Sequence, residues 1–532
     1  MLDGQLLVHT MPLIDFSLKD TEAEFARPEF LIVGAGAAGI FLASKLARMG
    51  RRVLLIESGH FVETDDRQEL NRIEETGKLQ GDSIWNRKRV LGGTTTAWGG
   101  QSLPFNPLDF ERRDWVGSAS WPLRYSELAP HYAHANAFMR VDPWNYSSDL
   151  ESRLHLPNPG FNPELIDFHF SKWAPQPNFF KLQRRILEEK VTVLYNAHLV
   201  RIHQFDDQRV RAVEIEGFMG RKTTIGADTI LLATGGIEAC RTLLLAERQA
   251  PGRMGNHSGW LGRAFMDHPT IRVGTIETPP SERRLQRTFS TQWRGRWKYS
   301  VRIHAAESWQ RKHRMLNTAG GFMFMHACSE DDWFEMFKKQ IRHPTFRSAA
   351  ALWKLRRDVC AGMGALLGSR FVYRPRAVVS LGLTTEQEPC SGSYVTLSKD
   401  NDRFDLPKAR LHWHISSKTW QTKRAFSAIM KAEIERLGFG RVTLIDPIVS
   451  GSKDFESLLT DTNHHMGGTR MSARAEDGVV DENMRVWGVP NLYVCSASVF
   501  PTSSHSNPTL TLLALCSRLV ERLANAPKSL VW

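Results

Sequence analysis

The chain has 532 residues, 42% of them hydrophobic and 24% charged, which is typical of a globular protein with a sizeable core and predicts about two to four domains. The formal net charge of +12 favours an anionic partner, such as nucleic acid, a membrane surface or a phosphate-bearing ligand, although a solvated basic surface explains it equally well. Six cysteines without a CxxC pair exclude a disulfide framework and a zinc site, and favour a reducing compartment.

The first 27 residues are polar and predict an irregular arm. They contain no basic n-region, no long apolar run and no twin arginine, so we expect no signal peptide. No stretch of the chain approaches the roughly 18 apolar residues that a membrane-spanning helix needs. We therefore expect a cytoplasmic protein that is soluble or at most peripheral at a membrane.

A βαβ unit is predicted near the N-terminus. Residues 30–39, FLIVGAGAAG, predict a short buried strand that runs into a glycine turn. The next segment carries Leu42 and Leu46 at helical spacing and stops at Gly50, a helix-terminating residue. Residues 51–59, RRVLLIESG, predict a second buried strand. This order implies a parallel sheet.

The glycine turn carries a dinucleotide-binding motif, because Gly34, Gly36 and Gly39 spell GxGxxG between strand and helix. The first glycine permits the tight turn, the second lets the backbone approach a pyrophosphate, and the third allows close helix–strand packing. Glu57 ends the second strand, where a carboxylate can accept hydrogen bonds from ribose hydroxyls. A second glycine-rich run at 362–368 has the wrong spacing and follows no strand, so we predict one dinucleotide site rather than two.

Residues 89–115 form a loop that is glycine-rich at both ends of a Thr/Trp core. Such a loop offers backbone N–H groups and hydroxyls to a large polar ligand, and Trp98 offers an aromatic face. The alternative is a surface loop with a packed tryptophan. These residues leave open whether the dinucleotide is NAD or FAD.

The rest of the chain predicts further strands, first at residues 191–203, 209–217 and 228–236. From residue 377 the segments AVVSLGLTTEQ, SYVTLSKD and ARLHWHI alternate in hydrophobicity, and predict strands of a second, more antiparallel sheet. Glycine-rich loops follow from residue 455, and a helix at 509–525 closes the chain.

The middle of the chain, residues 280–380, is basic and rich in aromatic side chains. It includes Trp333, Phe334, Phe337, Lys338, Lys339, Arg342, Trp353, Lys354, Arg356 and Arg357. These residues are compatible with amphipathic helices at an anionic membrane surface. We favour the alternative, a solvated flank whose aromatic side chains turn inward. No recognised nucleic-acid module accompanies the charge, so we expect no nucleic-acid partner.

Taken together, these motifs resemble those of the glucose–methanol–choline (GMC) family of flavin oxidoreductases. The GxGxxG turn with Glu57 resembles the family's ADP-binding unit, and LGGTTTAWGG resembles its flavin-contacting loop. The C-terminal motifs HHMGGTRM and SSHSNPTLTLLAL are the most specific part of the likeness. The N-terminal third and the segment from residue 455 match well, whereas residues 280–380 do not. The motif NPTLT is most similar to the sugar-oxidising branches, which include pyranose oxidases and the glucoside, fructose and gluconate dehydrogenases.

The resemblance implies an α/β fold with two domains. The first is a Rossmann-like FAD-binding domain on a parallel sheet, of the p-hydroxybenzoate-hydroxylase/GMC type, and the second is an α+β substrate domain on a largely antiparallel sheet. We assign residues 25–135, 186–275 and 455–532 to the FAD-binding domain. The substrate-binding domain then comprises residues 136–185 and 276–454, with a basic aromatic-rich insert at 280–380.

The resemblance also implies an active site with a histidine from the first C-terminal motif. That histidine stands three residues before the second glycine of the motif and four before a threonine. His465 satisfies this spacing with Gly468 and Thr469. A histidine is also the fitting general base for alcohol oxidation, because it titrates near neutrality. His464 is expected to be cavity wall or hydrogen-bonded support.

The second C-terminal motif supplies the partner of this base. The resemblance places Asn507 in that role, and an asparagine amide can donate to the substrate oxygen as charge develops on it. His505 lies two residues earlier and is expected near the site, where it takes part directly or only orients the loop.

FAD is expected to bind without a covalent link. Pyranose oxidases tether the flavin through a histidine directly before the loop tryptophan, and here that position is Ala97. Ser496 stands where many relatives carry an acid near the flavin, which puts that one contact in doubt. The predicted FAD contacts are Gly34, Gly36, Ala37, Ala38, Gly39, Glu57, Ser58, Gly92, Gly93, Thr94, Thr95, Trp98, Gly99, Val200, Thr234, Gly235, Ser496, Ala497, Asn507, Pro508 and Thr509. No metal is expected.

We therefore expect an FAD-dependent oxidoreductase that oxidises a hydroxyl of a sugar or glycoside by hydride transfer to flavin N5. The electron acceptor is unknown, and a dehydrogenase is favoured over an oxidase. The alternatives are an oxygen-using alcohol or sterol-type oxidase of the same fold, and a flavin-bound, non-catalytic protein that docks at a membrane.

Overall fold

The computed structural model describes residues 13–18, 27–81, 83–117, 119–146, 148–156, 158–204, 208–277, 282–326, 377–452 and 457–525. The aromatic and basic side chains named above for the middle of the chain, and the glycine run at 362–368, lie outside these residues. Among the helices that are described, none has the length and apolar character needed to cross a membrane.

The described helices are α1 Ala37–Arg48, α2 Asp65–Gln68, α3 Pro107–Phe110, α4 Tyr125–Met139, α5 Ser148–Leu154, α6 Phe179–Lys190, α7 Gly236–Gln249, α8 Glu282–Phe289, α9 Glu307–His313, α10 Ser417–Arg436, α11 Asp446–Ser450 and α12 Pro508–Asn525. The described strands are β1 Leu13–Asp15, β2 Phe30–Val33, β3 Val53–Ile56, β4 Glu74–Gly77, β5 Gln101–Ser102, β6 Ile166–Trp173, β7 Thr192–Tyr195, β8 Ala197–Gln204, β9 Val210–Gly217, β10 Lys222–Gly226, β11 Thr229–Leu232, β12 Thr270–Glu277, β13 Gln292–Arg294, β14 Trp297–Ala305, β15 Thr318–His326, β16 Ala377–Thr385, β17 Tyr394–Asn401, β18 Pro407–Trp413, β19 Arg441–Leu444 and β20 Leu492–Val494.

The first sheet has six parallel strands in the order β1-β7-β3-β2-β11-β20. Its central strands β2, β3 and β11 are short apolar runs that are buried throughout, as expected for a parallel sheet covered on both faces. The predicted βαβ unit is confirmed as β2-α1-β3. The predicted irregular arm differs in one place, because residues 13–15 form β1 and pair with β7.

The second large sheet is antiparallel, with the strand order β19-β12-β16-β15-β14-β6-β5 and β13 paired to β14. Its apolar face packs against α10, where the side chains of Phe426 and Met430 are fully buried. The parallel sheet and this antiparallel sheet confirm the predicted fold class. The cavity described below lies at the carboxyl ends of the parallel strands, where ligands bind in open α/β sheets.

Two details of the strand predictions were wrong. The predicted strand 191–203 divides into β7 and β8, which belong to different sheets, because Asn196 between them adopts a left-handed φ of +57°. The segments SYVTLSKD and ARLHWHI form β17 and β18, which pair with β4 in a separate three-stranded sheet. Alternation along a strand reports which face is buried, but it does not specify the neighbouring strand.

A buried lysine joins α10 to the edge of the antiparallel sheet. Lys423 is fully buried, and its Nζ donates to the carbonyl of Pro269 (2.7 Å) and to Thr385 Oγ1 (3.0 Å). Burial lowers the pKa of Lys423 from 10.5 to about 7. Between these two values the unfolded chain binds one more proton than the folded chain, so the stability of the fold rises with pH there. Below about pH 7 both states bind this proton, and the group adds no pH dependence.

The Lys423→Met variant is expected to lack this rise. The free energy of unfolding of the wild type minus that of the variant should rise by on the order of 1 kcal/mol per pH unit above about pH 7. Below that pH this difference should be constant. Urea unfolding at several pH values from about 6 to about 10 measures this difference. Lys431→Met, on the half-exposed side of the same helix, is the control, and equal slopes for wild type and Lys423→Met would contradict the prediction.

Candidate active site

The glycine turn between β2 and α1 can be built only from glycine at two of its positions. Gly34 adopts a φ of +101°, and a Cβ there would lie 2.5 Å from the carbonyl oxygen of Ala233. A Cβ on Gly39 would lie 1.8 Å from the carbonyl oxygen of Gly34. Gly36 is different, because no atom lies within 4 Å of the position its Cβ would take. Its Cα therefore faces open space at the head of α1, as the approach of a ligand phosphate requires.

Glu57, at the end of β3, ties this turn to the neighbouring loop. Its carboxylate accepts hydrogen bonds from the backbone N–H groups of Ala35 and Gly59, both at 2.8 Å. Burial raises the pKa of Glu57, which these hydrogen bonds and the charge of Arg89 partly offset. The sequence predicted a ribose contact for this side chain, and the structure adds the second role of holding the glycine turn.

The predicted flavin loop packs directly against the glycine turn. Gly92 adopts a φ of +107° and leads into a 3-10 turn at Gly93–Thr96, where a Cβ on Gly93 would lie 2.8 Å from the Cα of Gly36. Trp98 is half-buried, and its indole N–H donates to the carbonyl of Pro177 (2.8 Å). Its ring is therefore held in a fixed orientation at the cavity wall.

These elements enclose a cavity of about 510 Å³, within the size range of cofactor and ligand sites. The predicted site residues that line it are Gly34, Gly36, Ala37, Ala38, Glu57, Ser58, Gly93, Thr94, Thr95, Trp98, Val200, Thr234, Gly235, His465, Ser496, Pro508 and Thr509. The predicted site residues that do not line it are Gly39, Gly92, Gly99, Ala497, His505 and Asn507. His464 also lines the cavity.

A group of buried charges on the cavity wall was missed by the sequence reasoning. Glu238 at the start of α7 pairs with Arg89 (3.0 Å) and Arg241 (3.2 Å). Burial alone would raise the pKa of Glu238, but the arginine charges hold it at about 2. Burial lowers the pKa of Arg87 to about 10, and its Nη1 has no hydrogen-bond partner. The basic run NRKRV directly before the flavin loop was the available signal for this cationic wall.

The two histidines of the motif HHMGGTRM have different surroundings. Asn507 Nδ2 lies 3.3 Å from Nε2 of His464, so the asparagine that was predicted to partner His465 is hydrogen-bonded to its neighbour. Nδ1 of His464 lies 3.0 Å from both His268 Nδ1 and Thr462 Oγ1. His464 is thus held from one side and presents its other nitrogen to Asn507.

This network assigns the tautomer of His464. Thr462 Oγ1 donates its proton to Asp267 Oδ1 (2.8 Å), and His268 Nε2 faces the carbonyl of Ser503 (3.1 Å), to which it must donate. Neither Thr462 Oγ1 nor His268 Nδ1 then has a proton to offer His464, so Nδ1 of His464 carries the hydrogen. Nε2 of His464 is left with a lone pair that accepts from Asn507.

Burial and the neighbouring His268 lower the pKa of His464 to about 3, although Asp267 opposes this shift. The ring is therefore neutral at ordinary pH, as the tautomer assignment requires. Asp267 also fixes the backbone of this segment, because its Oδ1 accepts from the N–H groups of His464 (3.1 Å) and His268 (2.6 Å).

His465 is packed against the start of α7. A Cβ on Gly236 would lie 2.4 Å from the carbonyl oxygen of His465, so the two segments touch directly. Its ring lies 5.9 Å from that of Phe265, and its buried Nε2 has no hydrogen-bond partner in the part of the chain that the structure describes. Burial lowers the pKa of His465 to about 4. His465 therefore lines the cavity without contacting Asn507.

His505 points away from this cavity, toward the antiparallel sheet. Its ring centroid lies 5.1 Å from that of His169 and 5.6 Å from that of His304. Within the described part of the chain, no group of three or more His, Cys, Asp or Glu side chains is arranged to hold a metal ion.

Comparison with known proteins agrees with this geometry. Residues 389–516 match the family model described as GMC oxidoreductase, and residues 32–62 match one described as an NAD(P)-binding Rossmann-like domain. A 2-methyl-1,2-propanediol dehydrogenase from Mycolicibacterium austroafricanum is 22% identical over 92% of this chain and 94% of its own length. The large subunit of fructose dehydrogenase from Gluconobacter japonicus is 22% identical over 93% of this chain and 98% of its own length. The solved structure of a pyridoxine 4-oxidase from Mesorbium loti has a TM-score of 0.58 at 16% identity, and the match covers 94% of this chain and 100% of that chain.

The fold, the cavity and these matches define a flavin-dependent oxidoreductase. The chain resembles the GMC oxidoreductases, whose family model matches residues 389–516, and FAD is the dinucleotide of the glycine motif. The residues present fit this cofactor. Gly36 offers space at the head of α1. Among the described residues, Arg87 Nη1 and the hydroxyl of Thr234 have no hydrogen-bond partner, so both are available to the cofactor.

Proposed function

We propose that the protein oxidises a hydroxyl group of a sugar or glycoside to a carbonyl and passes the electrons to an acceptor other than oxygen. The observation that carries this proposal is the hydrogen bond between Asn507 Nδ2 and His464 Nε2 (3.3 Å). A lone pair and an N–H group side by side are what an alcohol needs at the moment its proton leaves.

In this proposal His464 is the general base. Its Nε2 lone pair accepts the hydroxyl proton, while Nδ1 stays bonded to His268 and Thr462. Asn507 donates to the same substrate oxygen and stabilises the charge that develops on it. FAD, when bound, supplies the hydride acceptor. The prediction that His465 is the base is the competing assignment, and the Discussion gives the variants that separate the two.

The choice of a sugar rests on the C-terminal motif and on the fructose dehydrogenase relative, which is similar along almost its whole length. The diol dehydrogenase relative favours a second candidate, a small aliphatic alcohol. The names of both relatives also support a dehydrogenase rather than an oxygen-using oxidase.

Anaerobic mixing of the yellow holoenzyme with a panel of alcohols tests the proposal. We expect sugars and glycosides to bleach the flavin absorbance, and 2-methyl-1,2-propanediol and sterols to leave it unchanged. Acid is expected to release the flavin, since Ala97 has no group with which to bond it. Bleaching by the diol alone would favour the second candidate. Reoxidation by air as fast as by a quinone acceptor would identify an oxidase instead.

Peripheral contact with an anionic membrane stays a prediction from residues 280–380, most of which lie outside the described residues. Sedimentation with phosphatidylserine vesicles at low and high salt tests it. Binding that salt abolishes is the expected result for electrostatic contact.

A further inference from the structure

The antiparallel sheet has a polar face in addition to the apolar face that packs on α10. Ile303 of β14 is paired with Gly320 of β15, and a Cβ on Gly320 would lie 2.8 Å from Met430 on α10. Neighbouring residues on a strand point to opposite faces, so Arg302 and His304 belong to the face turned away from α10. This is the face that His505 meets.

Arg302 borders a part of this face where two neighbouring strands carry glycine. The nearest atom to a Cβ built on Gly321 is Nη1 of Arg302, at 3.9 Å. Gly321 is paired in turn with Gly382 of β16. These glycines leave space next to the guanidinium, which the side chain of Met323 bounds at 3.4 Å from the position of a Cβ on Gly382. On the other side of Arg302, β6 places His169 directly opposite it.

Arg302 has no anionic partner within the described part of the chain. It forms no ion pair or hydrogen bond there, and burial lowers its pKa. The register places Asp167 on this face, but that side chain is 64% exposed and lies 3.5 Å from His304 rather than beside Arg302. A half-buried guanidinium without a counter-charge is poorly compensated, so such a group points to a ligand.

The histidines around Arg302 also have unused hydrogen-bonding groups. His169 and His505 are 8% and 5% exposed, and the buried Nε2 of His169 and both ring nitrogens of His505 have no hydrogen-bond partner among the described residues. Burial lowers the pKa of both rings, and the charges of His304 and Arg302 add to the shift. Each ring is therefore neutral and has an N–H group available to an acceptor.

This polar face adjoins the pair formed by His464 and Asn507. His505 is two residues from Asn507, and the charge of Arg302 is close enough to contribute to the low pKa of His464. The polar face therefore lies next to the place where the proposed function puts the substrate hydroxyl.

We propose that the alcohol substrate carries a carboxylate, which Arg302 binds while His169 and His505 donate to it from the side. This inference rests on the proposed function, and it narrows the substrate class from sugars in general to sugar acids and related hydroxy acids. One permanent positive charge matches one carboxylate, and the planar guanidinium fits its two oxygens.

The test uses the holoenzyme with glucose and glucuronate, which differ by one carboxylate. Wild type is expected to be half-saturated at a lower concentration of glucuronate than of glucose. Arg302→Gln should raise the half-saturating concentration of glucuronate about 10- to 100-fold, because a hydrogen-bonded charge pair is lost, and should change that of glucose less than about threefold. Arg441→Gln is the control, since Arg441 is an exposed arginine on the edge strand β19 of the same sheet, where it is paired with Glu277.

The remaining outcomes also decide whether Arg302 binds a carboxylate. Equal effects of Arg302→Gln on both sugars would show that Arg302 supports the fold and does not bind a carboxylate. A preference for glucose 6-phosphate over glucuronate would identify a phosphate site instead. If no alcohol bleaches the flavin, the proposed function fails, and equilibrium binding of glucuronate, followed by the flavin absorbance, still decides the inference. Binding that Arg302→Gln abolishes would support it, and binding that is absent or independent of Arg302 would overturn it.

Discussion

The His464→Ala variant is expected to retain FAD and to be reduced by its substrate about 10²- to 10⁴-fold more slowly than wild type, the usual contribution of a positioned general base. The lost group is the Nε2 lone pair that faces Asn507. Stopped-flow measurement of flavin bleaching under anaerobic conditions gives the rate, and the visible spectrum confirms that the cofactor is bound.

His465→Ala is the matched control, because it removes the same side chain at the adjacent position. Its rate of bleaching is expected to stay within about tenfold of wild type. The loss of the His465 side chain changes the packing and can shift the site slightly, but it removes no reacting group. A normal rate in His464→Ala together with a lost rate in His465→Ala would return the base to the residue that the motif spacing predicted.

The pH dependence of the wild-type rate provides a further check on this base. Because the pKa of His464 is lowered to about 3, its neutral, proton-accepting form predominates at any higher pH. We expect a bleaching rate that is constant between about pH 5 and about pH 8 and that falls only toward pH 3. A rate that drops steeply near the ordinary histidine pKa of 6.5 would argue against this assignment.

The Gly36→Val variant is expected to fold but to lose FAD. Its side chain would enter open space rather than protein atoms, so the cost falls on the cofactor that occupies the space. A valine side chain that overpacks against the bound cofactor costs about 1–3 kcal/mol. This cost corresponds to about a 5- to 150-fold lower affinity for FAD. Titration of the apoprotein with FAD, followed by quenching of flavin fluorescence, measures this change, and circular dichroism verifies the fold.

Gly392→Val is the control variant, because it makes the same substitution in an exposed loop away from the cavity. The nearest atom to a Cβ at Gly392 is at an ordinary contact distance of 3.7 Å, and the variant should bind FAD like wild type. Gly39→Val, by contrast, would force a side chain against the carbonyl oxygen of Gly34 and should fail to fold. An unchanged FAD affinity in Gly36→Val would contradict the proposed place of the cofactor at the head of α1.

Local sequence patterns were enough to predict the cofactor unit. The strand FLIV, the glycine spacing and the acid at the end of the next strand are each local, and β2, α1 and β3 form where these patterns predict them. The clash of a Cβ at Gly39 with Gly34, five residues away, shows why the spacing carries so much information. The contact between Gly39 and Gly34 lies within the segment and is therefore encoded locally, whereas the contact between Gly34 and Ala233 depends on the tertiary structure.

The cationic wall and the polar face were not predicted, because their members are distant in sequence. Glu238 and Arg89 come from distant segments of the chain, and Arg302 meets His169 only through the pairing of β14 with β6. Alternation along a strand indicates that one face is polar. It does not indicate which strands are neighbours or which element covers that face.

The motif HHMGGTRM shows most clearly where the sequence stops being sufficient. By itself the sequence determined that one of two adjacent histidines lies at a flavin site and that Asn507 comes from the segment before the last helix. Only the tertiary structure decided which histidine meets Asn507. Asn463 and Gly467 adopt left-handed φ values of +60° and +73° on either side of the pair, and this backbone path turns His464 toward Asn507 and packs His465 against Gly236. The direction of a side chain in such a loop is set by contacts with His268, Thr462 and Gly236, which the spacing of a motif does not encode.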